Sequence, residues 1–328
     1  MERKWVLGAY REEPRTKSRE PKLNCMGHVP TFIGLGEILW DLLPSGRQLG
    51  GAPANFAYCS HLLGSRAIVA SRVGSDELGR QVRNSLLRFG ITDEFLQTDP
   101  TYSTGRVQVE INPEGQPKFE IMHPAAWDFL QWNESWERLA KSADAVCFGS
   151  LAQRSAAARG TIRKFLELTR PEALRIFDVN LRQSFYSAEI ISSSLHRANI
   201  VKLNHEELPV LASFLHINSS GEVAFCREVL DEFDLQLVCV TRGGNGSVLV
   251  DKSGAHEHAG FRVAVKDTVG AGDAFTAGLV HERLRGNSLA SMNDTANRMG
   301  AWVASHAGAM PPVPQAGVKS ALDGLTRG

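Results

Sequence analysis

The chain has 328 residues, and its 36 basic and 36 acidic side chains cancel to a formal net charge of zero. This length is enough for one large α/β domain, and the neutral balance excludes a sequence-wide attraction to nucleic acid or to anionic membranes. No run approaches the roughly 18 consecutive apolar residues of a membrane span, and five scattered cysteines without a C-x-x-C pair predict no disulfide framework. We therefore expect a cytoplasmic protein whose partners are small molecules.

The first thirty residues differ in composition from the rest of the chain. The segment 11–22 mixes charges of both signs with two prolines and has almost no apolar side chain, a composition typical of disordered chain. We predict a disordered extension over residues 1–30 and one domain over residues 31–328. An alternative is that Met26 is the true start and that the residues before it are an upstream extension.

From Phe32 onward, short runs rich in Ile and Val alternate with amphipathic segments. Runs that are apolar on both faces predict strands covered on both sides of a parallel sheet, and helices between them predict right-handed β-α-β units. The predicted fold class is a doubly wound α/β domain with a mostly parallel sheet flanked by helices. The predicted strands are FIGL at Phe32, AIVA at Ala67, AVCF at Ala145, RIFDV at Arg175, IVKL at Ile200 and LVCV at Leu237.

Two polar features follow the first predicted strand. GEILWDLLP places Asp41 just past that strand, where ligand-binding groups collect in open α/β sheets. LGGAPANFA, from Leu49 to Ala57, then puts paired glycines, Pro53 and Asn55 at the head of a helix pattern. Backbone amides and a short side-chain amide can meet a polar ligand there, whereas an ordinary glycine turn that caps a helix is the alternative.

Two segments carry the signals of helices. In DELGRQVRNSLLRFG, Asp76 can cap the start and Gly90 can supply the left-handed residue after the end. In GTIRKFLELTRP, the helix pattern is closed by Pro171. Both segments are expected to cover the sheet.

The segment from Thr104 to Met122 breaks the alternation of strands and helices. Val107, Val109 and Ile111 alternate with polar residues up to a turn at NPEG, and the alternation resumes after it, as in an antiparallel hairpin. A hairpin that is apolar on one face predicts a lid over a ligand cleft or a contact with the same hairpin of a second subunit. An edge hairpin without a role is the alternative. We predict lid strands at about 43–50 and 103–122.

Two further features contain side chains that could bind a metal ion or a ligand, but we expect structural roles for them. HEH, from His256 to His258, offers two imidazoles without further metal ligands, so we expect an exposed hairpin turn. Trp127, Trp132 and Trp136 are expected to pack under the sheet, although Trp127 could border a ligand site.

The stretch DTVGAGDAFTAG, which starts at Asp267, precedes a helix pattern that ends at a glycine. A helix start leaves backbone N–H groups unpaired at the positive end of the helix dipole, so Gly270, Ala271 and Gly272 can form an anion site. Asp273 either caps this helix or acts as a general base towards a hydroxyl that attacks a phosphoryl group. No G-x-x-x-x-G-K-[ST] motif occurs, which excludes a P-loop.

In combination, these segments resemble a known family. LGGAPANFA, with Gly64 and Gly74 downstream, resembles the N-terminal signature of the ribokinase-like (PfkB) sugar kinases, and DTVGAGDAFTAG resembles their C-terminal signature. Both signatures fit without departure and in the family's order, and the resemblance covers the chain after about residue 30. GEILWDLLP, GSLAQRS and DVNLR are most similar to the fructokinase branch. The resemblance implies a ribokinase-like fold with a small β-strand lid and an ATP-dependent sugar kinase activity.

The resemblance also implies roles for individual residues. Asp273 would be the catalytic base, and the backbone at Gly270, Ala271 and Gly272 would be the anion hole. Arg182 would lie near the phosphates; a structural ion pair between Arg182 and Asp178 is the alternative. The sugar hydroxyls would be held by Asp41, Gly50, Gly51, Asn55 and Asp273.

The nucleotide and the metal ions would be held mostly by the second half of the chain. NHEE matches the family's N-x-x-E, in which Glu207 would position hydrated Mg²⁺; a helix first turn with favourable acids is the alternative. The nucleotide would contact Asn204, Thr241, Gly243, Gly246, Gly272 and Asn297. A monovalent cation such as K⁺ would lie beside Asp267, Val269, Ala304 and Gly308.

We therefore predict that the chain phosphorylates a sugar hydroxyl with ATP and Mg²⁺, with D-fructose to fructose 6-phosphate as the favoured reaction. The alternatives are a kinase for ribose, 2-keto-3-deoxygluconate or a nucleoside, and a non-catalytic sugar-binding protein on the same fold. Closing the lid would exclude water, which competes as acceptor. A homodimer through the lid hairpins is a separate hypothesis.

Overall fold

The computed structural model describes residues 28–43, 46–111, 117–313 and 317–325, with side chains described outside 109–119. The predicted disordered extension falls outside these ranges except at its last three residues, and so does the turn of the predicted hairpin. Within these ranges, no helix has both the length and the apolar character needed to cross a bilayer.

Strands and helices alternate through most of the described chain. The strands are β1 (Thr31–Leu35), β2 (Leu39–Leu43), β3 (Gly46–Gly50), β4 (Arg66–Gly74), β5 (Leu96–Asp99), β6 (Gly105–Ile111), β7 (Pro117–Ile121), β8 (Ala145–Gly149), β9 (Leu174–Asp178), β10 (Ile200–Asn204), β11 (Leu237–Thr241), β12 (Ser247–Asp251) and β13 (Gly254–His258). The helices are α1 (Ala52–Leu62), α2 (Glu77–Arg88), α3 (Glu134–Ser142), α4 (Ala156–Glu167), α5 (Ala188–Leu195), α6 (Leu208–Leu215), α7 (Glu222–Glu232), α8 (Ala271–Leu284), α9 (Leu289–Ala304) and α10 (Gly317–Asp323).

Nine strands form a large sheet in the order β13-β12-β11-β10-β9-β8-β1-β4-β5. Its seven strands from β11 to β5 are parallel, and β12 and β13 add an antiparallel edge. Alternate residues enter two cores: Ile33 of β1 belongs to a core with α4 to α7, whereas Phe32 belongs to one with α1, α2, α8 and α9. The predicted doubly wound α/β fold is thus confirmed, and all six predicted strands are present.

Four strands form a second, small sheet in the order β3-β2-β6-β7. The chain enters it directly after β1, where Gly36 has a φ of 143°, a conformation that is open to glycine. The strand β2 was not predicted, and Asp41 is the third residue of this strand rather than a loop residue just past β1. The strands β3, β6 and β7 lie within the segments for which lid strands were predicted.

Both predicted helices are present, but one of them ends early. At α2, the Asp76 side chain accepts from the Gly79 amide over 2.8 Å, and Gly90 follows the helix with a φ of 77°, as predicted. The other helix, α4, ends at Glu167 and not at Pro171. The reason is a tight turn after the helix, in which the Thr169 amide donates to the Leu166 carbonyl.

The HEH segment lies in β13 and not in the predicted exposed turn, which the chain makes at Lys252 and Ser253. The rings of His256 and His258 contact side chains of α9. Across the described ranges, no group of three or more His, Cys, Asp or Glu side chains is arranged to hold a metal ion. These imidazoles therefore help to pack α9 against the edge of the large sheet.

The tryptophans of the segment before α3 pack as predicted. Trp127 and Trp136 are fully buried in the core that contains α4, and Trp132 packs against this core. The Arg154 guanidinium lies 3.9 Å from the centre of the Trp127 ring and forms a buried ion pair with Asp128.

Candidate active site

The starts of α1 and α8 meet at one hydrogen bond. Asn55, in the first turn of α1, donates from Nδ2 to Oδ2 of Asp273 over 2.8 Å, although the two residues are 218 positions apart. The fold thereby joins the two glycine-bearing segments of the sequence.

Asp273 is not the cap of α8. The helix begins at Ala271 after Gly270, whose φ is 78°, and no side chain caps it. Asp273 is therefore the third residue of the helix, and its described hydrogen bond comes from Asn55. The alternative that Asp273 serves as an N-cap is wrong, because the positive φ of Gly270 starts the helix earlier than the capping pattern suggests.

The environment of Asp273 suits a general base. Burial raises the pKa of Asp273 to about 6, and the charge of Asp178 raises it as well. The Lys202 charge, the hydrogen bond from Asn55 and the Arg182 charge act in the opposite direction. At neutral pH the carboxyl is therefore mostly ionised, yet its pKa is close enough to 7 for efficient proton acceptance.

The backbone in front of Asp273 is closely packed. A Cβ at Gly270 would lie 2.5 Å from Cβ of Ala309, and one at Gly272 would lie 2.9 Å from Nζ of Lys202. Of the predicted anion-hole amides, that of Ala271 donates to the Thr268 carbonyl over 3.2 Å. Glycine is therefore needed at Gly270, which also has a positive φ, whereas at Gly272 a lysine ammonium lies against the first turn of α8.

Lys202 was not singled out in the sequence. It lies in β10 directly opposite Asp178 of β9, and its Nζ contacts the two carboxylate oxygens of Asp178 at 3.1 and 3.2 Å. Both side chains are buried, and the carboxylates of Asp178, Glu207 and Asp273 outweigh burial and raise the pKa of Lys202. Lys202 is therefore a fixed positive charge among three carboxylates.

Arg182 does not pair with Asp178, so that alternative is wrong. Asp178 takes Lys202 as its partner because β9 and β10 place the two in register. Arg182 is exposed and donates from Nη1 to the Leu181 carbonyl over 3.0 Å. Its charge nevertheless lowers the pKa of Asp273, which indicates that it lies on the same side of the fold as the base.

Glu207 connects the NHEE and DVNLR segments. Its carboxylate accepts from the amide of Leu181 over 2.8 Å and from the amide of Asn204 over 2.9 Å. It precedes α6, whose first turn contains no acid, so the alternative of a favourable helix first turn is wrong. A carboxylate oxygen can accept more than one hydrogen bond, and Glu207 therefore fits contact with a metal ion through water.

The predicted sugar residues lie around the start of α1. Asp41 of β2 is opposite Gln48 of β3, and a Cβ at Gly50 would lie 2.7 Å from Oδ2 of Asp41. Burial raises the pKa of Asp41 to about 6. Gly51 precedes α1 with a φ of 105°. The small sheet thus carries Asp41 and Gly50 to the helix start whose Asn55 contacts Asp273.

The predicted nucleotide residues are spread over the β11 end of the large sheet. Thr241 ends β11, and a short 3₁₀ turn from Gly243 to Asn245 leads to Gly246. A Cβ at Gly246 would lie 1.8 Å from the His258 carbonyl oxygen, so only glycine fits there. Asn297 of α9 donates from Nδ2 to Oγ of Ser247 over 2.8 Å, which leaves its carbonyl oxygen for a ligand.

The four residues predicted for a monovalent cation lie together. Asp267 accepts from the amides of Val269 and Gly308, each over 3.0 Å, and its own amide donates to the Ala304 carbonyl over 3.3 Å. A carboxylate and a backbone carbonyl are oxygen donors, the ligand type that hard cations take.

Glu37 is a second residue that the sequence reading missed. It follows β1 directly after Gly36, is 1% exposed, and its Oε2 has no hydrogen-bond partner among the described residues. Burial is the largest cause that raises the pKa of Glu37 to about 7, and the charge of Asp273 contributes to the same increase. The signal that could have found it is its position at the carboxyl end of a central strand, the reasoning that was applied to Asp41.

Comparisons with known proteins agree with this geometry. The family model described as "pfkB family carbohydrate kinase" matches residues 46–316. The chain is 30% identical over 307 residues to a fructokinase of Escherichia coli, covering 85% of this chain and 95% of the relative. It is 34% identical over 260 residues to a fructokinase of Salmonella typhimurium, covering 75% and 82%. The structure of a fructokinase from Vibrio cholerae O395 with fructose, ADP and calcium superposes with a TM-score of 0.75 at 26% identity, covering 89% and 98%.

Proposed function

Because the chain belongs to the pfkB family of carbohydrate kinases, in its fructokinase branch, and is a sugar kinase, we propose that it transfers the γ-phosphoryl group of ATP to D-fructose, giving fructose 6-phosphate. The observation that carries the proposal is the hydrogen bond between Asn55 and Asp273. It brings a half-buried carboxylate to the point where the two signature segments meet. The fructokinase relatives favour fructose over other sugars.

Asp273 is the general base in this mechanism. Its Oδ2 accepts the hydrogen bond from Asn55, and its other oxygen is then available to the acceptor hydroxyl. The carboxylate takes the proton as the hydroxyl oxygen attacks the γ-phosphorus in line. The bond from the γ-phosphorus to the oxygen that bridges to the β-phosphate breaks, and ADP leaves with that oxygen. The sugar is oriented by Asp41, Gly50, Gly51 and Asn55, which supply fixed donors and acceptors around the start of α1.

Positive charge and backbone dipoles stabilise the transferred phosphoryl group. The start of α8 at Gly270 to Gly272 offers the positive end of a helix, and the buried Lys202 ammonium lies against it. Arg182 is exposed, so it is free to turn towards the phosphates. Glu207 and Asn204 would hold hydrated Mg²⁺, which neutralises phosphate charge when bound. A K⁺ ion at Asp267, Val269, Ala304 and Gly308 would stabilise the loop before α8.

In this proposal the nucleotide lies along the β11 end of the large sheet. Thr241, Gly243 and Gly246 would contact the nucleotide through the turn after β11, and Asn297 would use its carbonyl oxygen. Gly243 is exposed and can approach phosphates or ribose closely because no Cβ intervenes, whereas Gly246 is buried and shapes the turn.

The small sheet of β3, β2, β6 and β7 acts as the lid. It carries Asp41 and would exclude water from the transferred phosphoryl group, which water would otherwise accept. Pairing of two lids in a homodimer remains a hypothesis, and light scattering at micromolar concentration tests it. A monomer would remove it.

The experiment for the proposed function is turnover of ATP with fructose, ribose, 2-keto-3-deoxygluconate and a nucleoside. We expect the highest kcat/KM with fructose, and loss of roughly 10²–10⁴-fold in kcat for Asp273→Asn. Asp231→Asn, which makes the same change on an exposed surface, is the control and should keep the wild-type rate.

Three outcomes would count against the proposal. A higher kcat/KM with another sugar would show that this sugar, and not fructose, is the preferred substrate. More than roughly a tenth of the wild-type rate in Asp273→Asn would remove the base. Binding of a sugar without turnover of any would favour the non-catalytic sugar-binding protein.

A further inference from the structure

Glu37 is a buried acid that the mechanism does not use and whose pKa is affected by the charge of Asp273. It lies in the short connection between β1 and β2, at the carboxyl edge of the large sheet and beside the small sheet. The connection is tightly packed: a Cβ at Gly51 would lie 2.6 Å from the Glu37 carbonyl oxygen. The backbone of Glu37 is therefore held between the central strand and the start of α1.

The side chain of Glu37 faces the groups that surround Asp273. The charges of Asp273 and Arg182 act on its carboxyl in opposite directions. The amide of Glu37 itself and the amide of Ala52, the first residue of α1, hydrogen-bond to this carboxyl. No lysine or arginine forms an ion pair with Glu37 among the described residues. A carboxylate has about four lone-pair sites, so one that accepts from two amides and has no cationic partner can still accept further hydrogen bonds.

A second buried acceptor lies at the same helix start. Oδ1 of Asn55 also lacks a hydrogen-bond partner among the described residues, and so does Oε2 of Glu37. Each buried acceptor left without a partner costs about 1–3 kcal/mol. One of these atoms belongs to Asn55, the residue that contacts Asp273, and the other to Glu37 beside the start of α1. Both would be satisfied by a ligand that donates several hydrogen bonds. A polyhydroxylated sugar is such a ligand.

We propose that Glu37 is a substrate-binding residue, whose free carboxyl oxygen accepts a hydrogen bond from a second sugar hydroxyl beside the one that Asp273 deprotonates. The inference rests on the proposed function, since it requires a sugar as the phosphoryl acceptor. It deepens that function because it makes the enzyme select for a hydroxyl that takes no part in the chemistry. A site that hydrogen-bonds a substrate hydroxyl discriminates strongly against an analogue without it, since the buried acceptor is then left unpaired.

The test is a cycle of enzyme variants and sugar analogues at about pH 8, above the raised pKa of Glu37. Wild type, Glu37→Gln and Glu37→Ala are assayed with fructose and with fructoses that each lack one non-acceptor hydroxyl. For one analogue we expect the wild type to lose roughly 10- to 100-fold in kcat/KM, as for a hydrogen bond to a charged group. Glu37→Ala should discriminate against that analogue by less than roughly threefold, with Glu37→Gln in between.

A matched control separates this role from a general need for a buried acid. Glu282 is a largely buried glutamate near the other end of α8, bonded to Asn287 and Ser291. Glu282→Gln should leave the pattern across the analogues unchanged. Urea unfolding of every variant shows whether each is folded. If Glu37→Ala is unfolded, the test uses Glu37→Gln, which keeps the size of the side chain.

The outcomes distinguish this inference from failure of the proposed function. If the wild type turns over no sugar, the proposed function fails, and calorimetry of fructose and analogue binding then tests Glu37 with the same variants. Equal losses for all analogues in wild type and variants would overturn the inference and leave Glu37 a support for α1. A raised KM for ATP with an unchanged KM for fructose would also overturn it, since Glu37 would then act on Arg182.

Discussion

The starts of α1 and α8 have the same local backbone arrangement but differ in the side chains that lie beside them. Each follows a glycine with positive φ, Gly51 at 105° and Gly270 at 78°, and at neither does a side chain cap the helix. Beneath α8 lies the buried pair of Lys202 and Asp178, whereas α1 has beside it the carboxyl of Glu37, whose Oε2 has no hydrogen-bond partner in the described part of the chain.

Because of this difference, we expect the start of α8 to bind the phosphoryl group and the start of α1 to bind the sugar. The Lys202 ammonium, which lies against Gly272 at the start of α8, suits an incoming phosphoryl group. Its charge lowers the pKa of Asp273, whereas the larger effect of Asp178 raises it. Unsatisfied acceptors beside α1 suit the hydroxyls of a neutral sugar. A glycine turn before a helix is thus a general polar site, and its specificity comes from tertiary neighbours.

The largest expected effect is the loss of stability when the positive charge of Lys202 beneath α8 is removed. Lys202→Met leaves Asp178 buried without its partner, which should lower the free energy of unfolding by about 3–5 kcal/mol. Urea unfolding measures it. Glu37→Gln beside α1 breaks no ion pair and should change stability by less than about 1 kcal/mol.

The double variant Lys202→Met with Asp178→Asn is the control for this prediction. It removes both charges, so most of the lost stability should return. Its activity should stay low, because the positive charge beside Gly272 is still missing. Lys202→Met with wild-type stability would show that the buried pair does not support the start of α8.

Apolar runs in the sequence were sufficient to predict six strands of the large sheet, whereas the meeting of α1 with α8 was implied only by the family resemblance, which assigned Asn55 and Asp273 to the same sugar. Strands that are apolar on both faces are recognisable because both sides of a parallel sheet are covered. Lys202 was assigned only to a strand, because its contact with Asp178 depends on the register of β9 and β10, which one sequence does not encode locally. His256 was assigned to a turn for the same reason: the position of the β12–β13 turn depends on pairing.

A smaller effect is expected at the two glycines themselves. Alanine at Gly270 would clash with Ala309, and alanine at Gly51 would clash with the Glu37 carbonyl; each should cost about 1–3 kcal/mol in strain and overlap. Gly270→Ala should mainly lower kcat, whereas Gly51→Ala should mainly raise the KM for the sugar. Steady-state kinetics with both substrates varied would separate the two.

Gly286→Ala is the matched control for these variants. Gly286 also has a positive φ, 71°, but no atom lies within 4 Å of a Cβ built there. It should lose only the cost of the left-handed conformation, about 1–2 kcal/mol, and keep wild-type kinetics. If all three variants show the same kinetic defect, the two helix starts do not divide binding and chemistry between them.

The smallest expected effect concerns the hydrogen bond that joins the two helices. Because Asp273 must be ionised to accept a proton, kcat/KM should rise with pH through about 6, the raised pKa of Asp273, and level off above it. The Asn55 hydrogen bond lowers this pKa, so Asn55→Ala should move the rise to higher pH by up to about one unit. The relative loss of activity should therefore be larger at low pH than at high pH.

The pH profile of Gly51→Ala distinguishes this effect from a loss of sugar binding. That variant disturbs the sugar side of α1 but leaves the partner of Asp273 in place, so its profile should be lowered at every pH without moving. An unshifted profile in Asn55→Ala would mean that α1 holds the sugar and has no influence on the base. A profile shifted to higher pH would mean that Asn55 at the start of α1 lowers the pKa of Asp273 in α8, because a hydrogen bond to the ionised carboxylate favours that form.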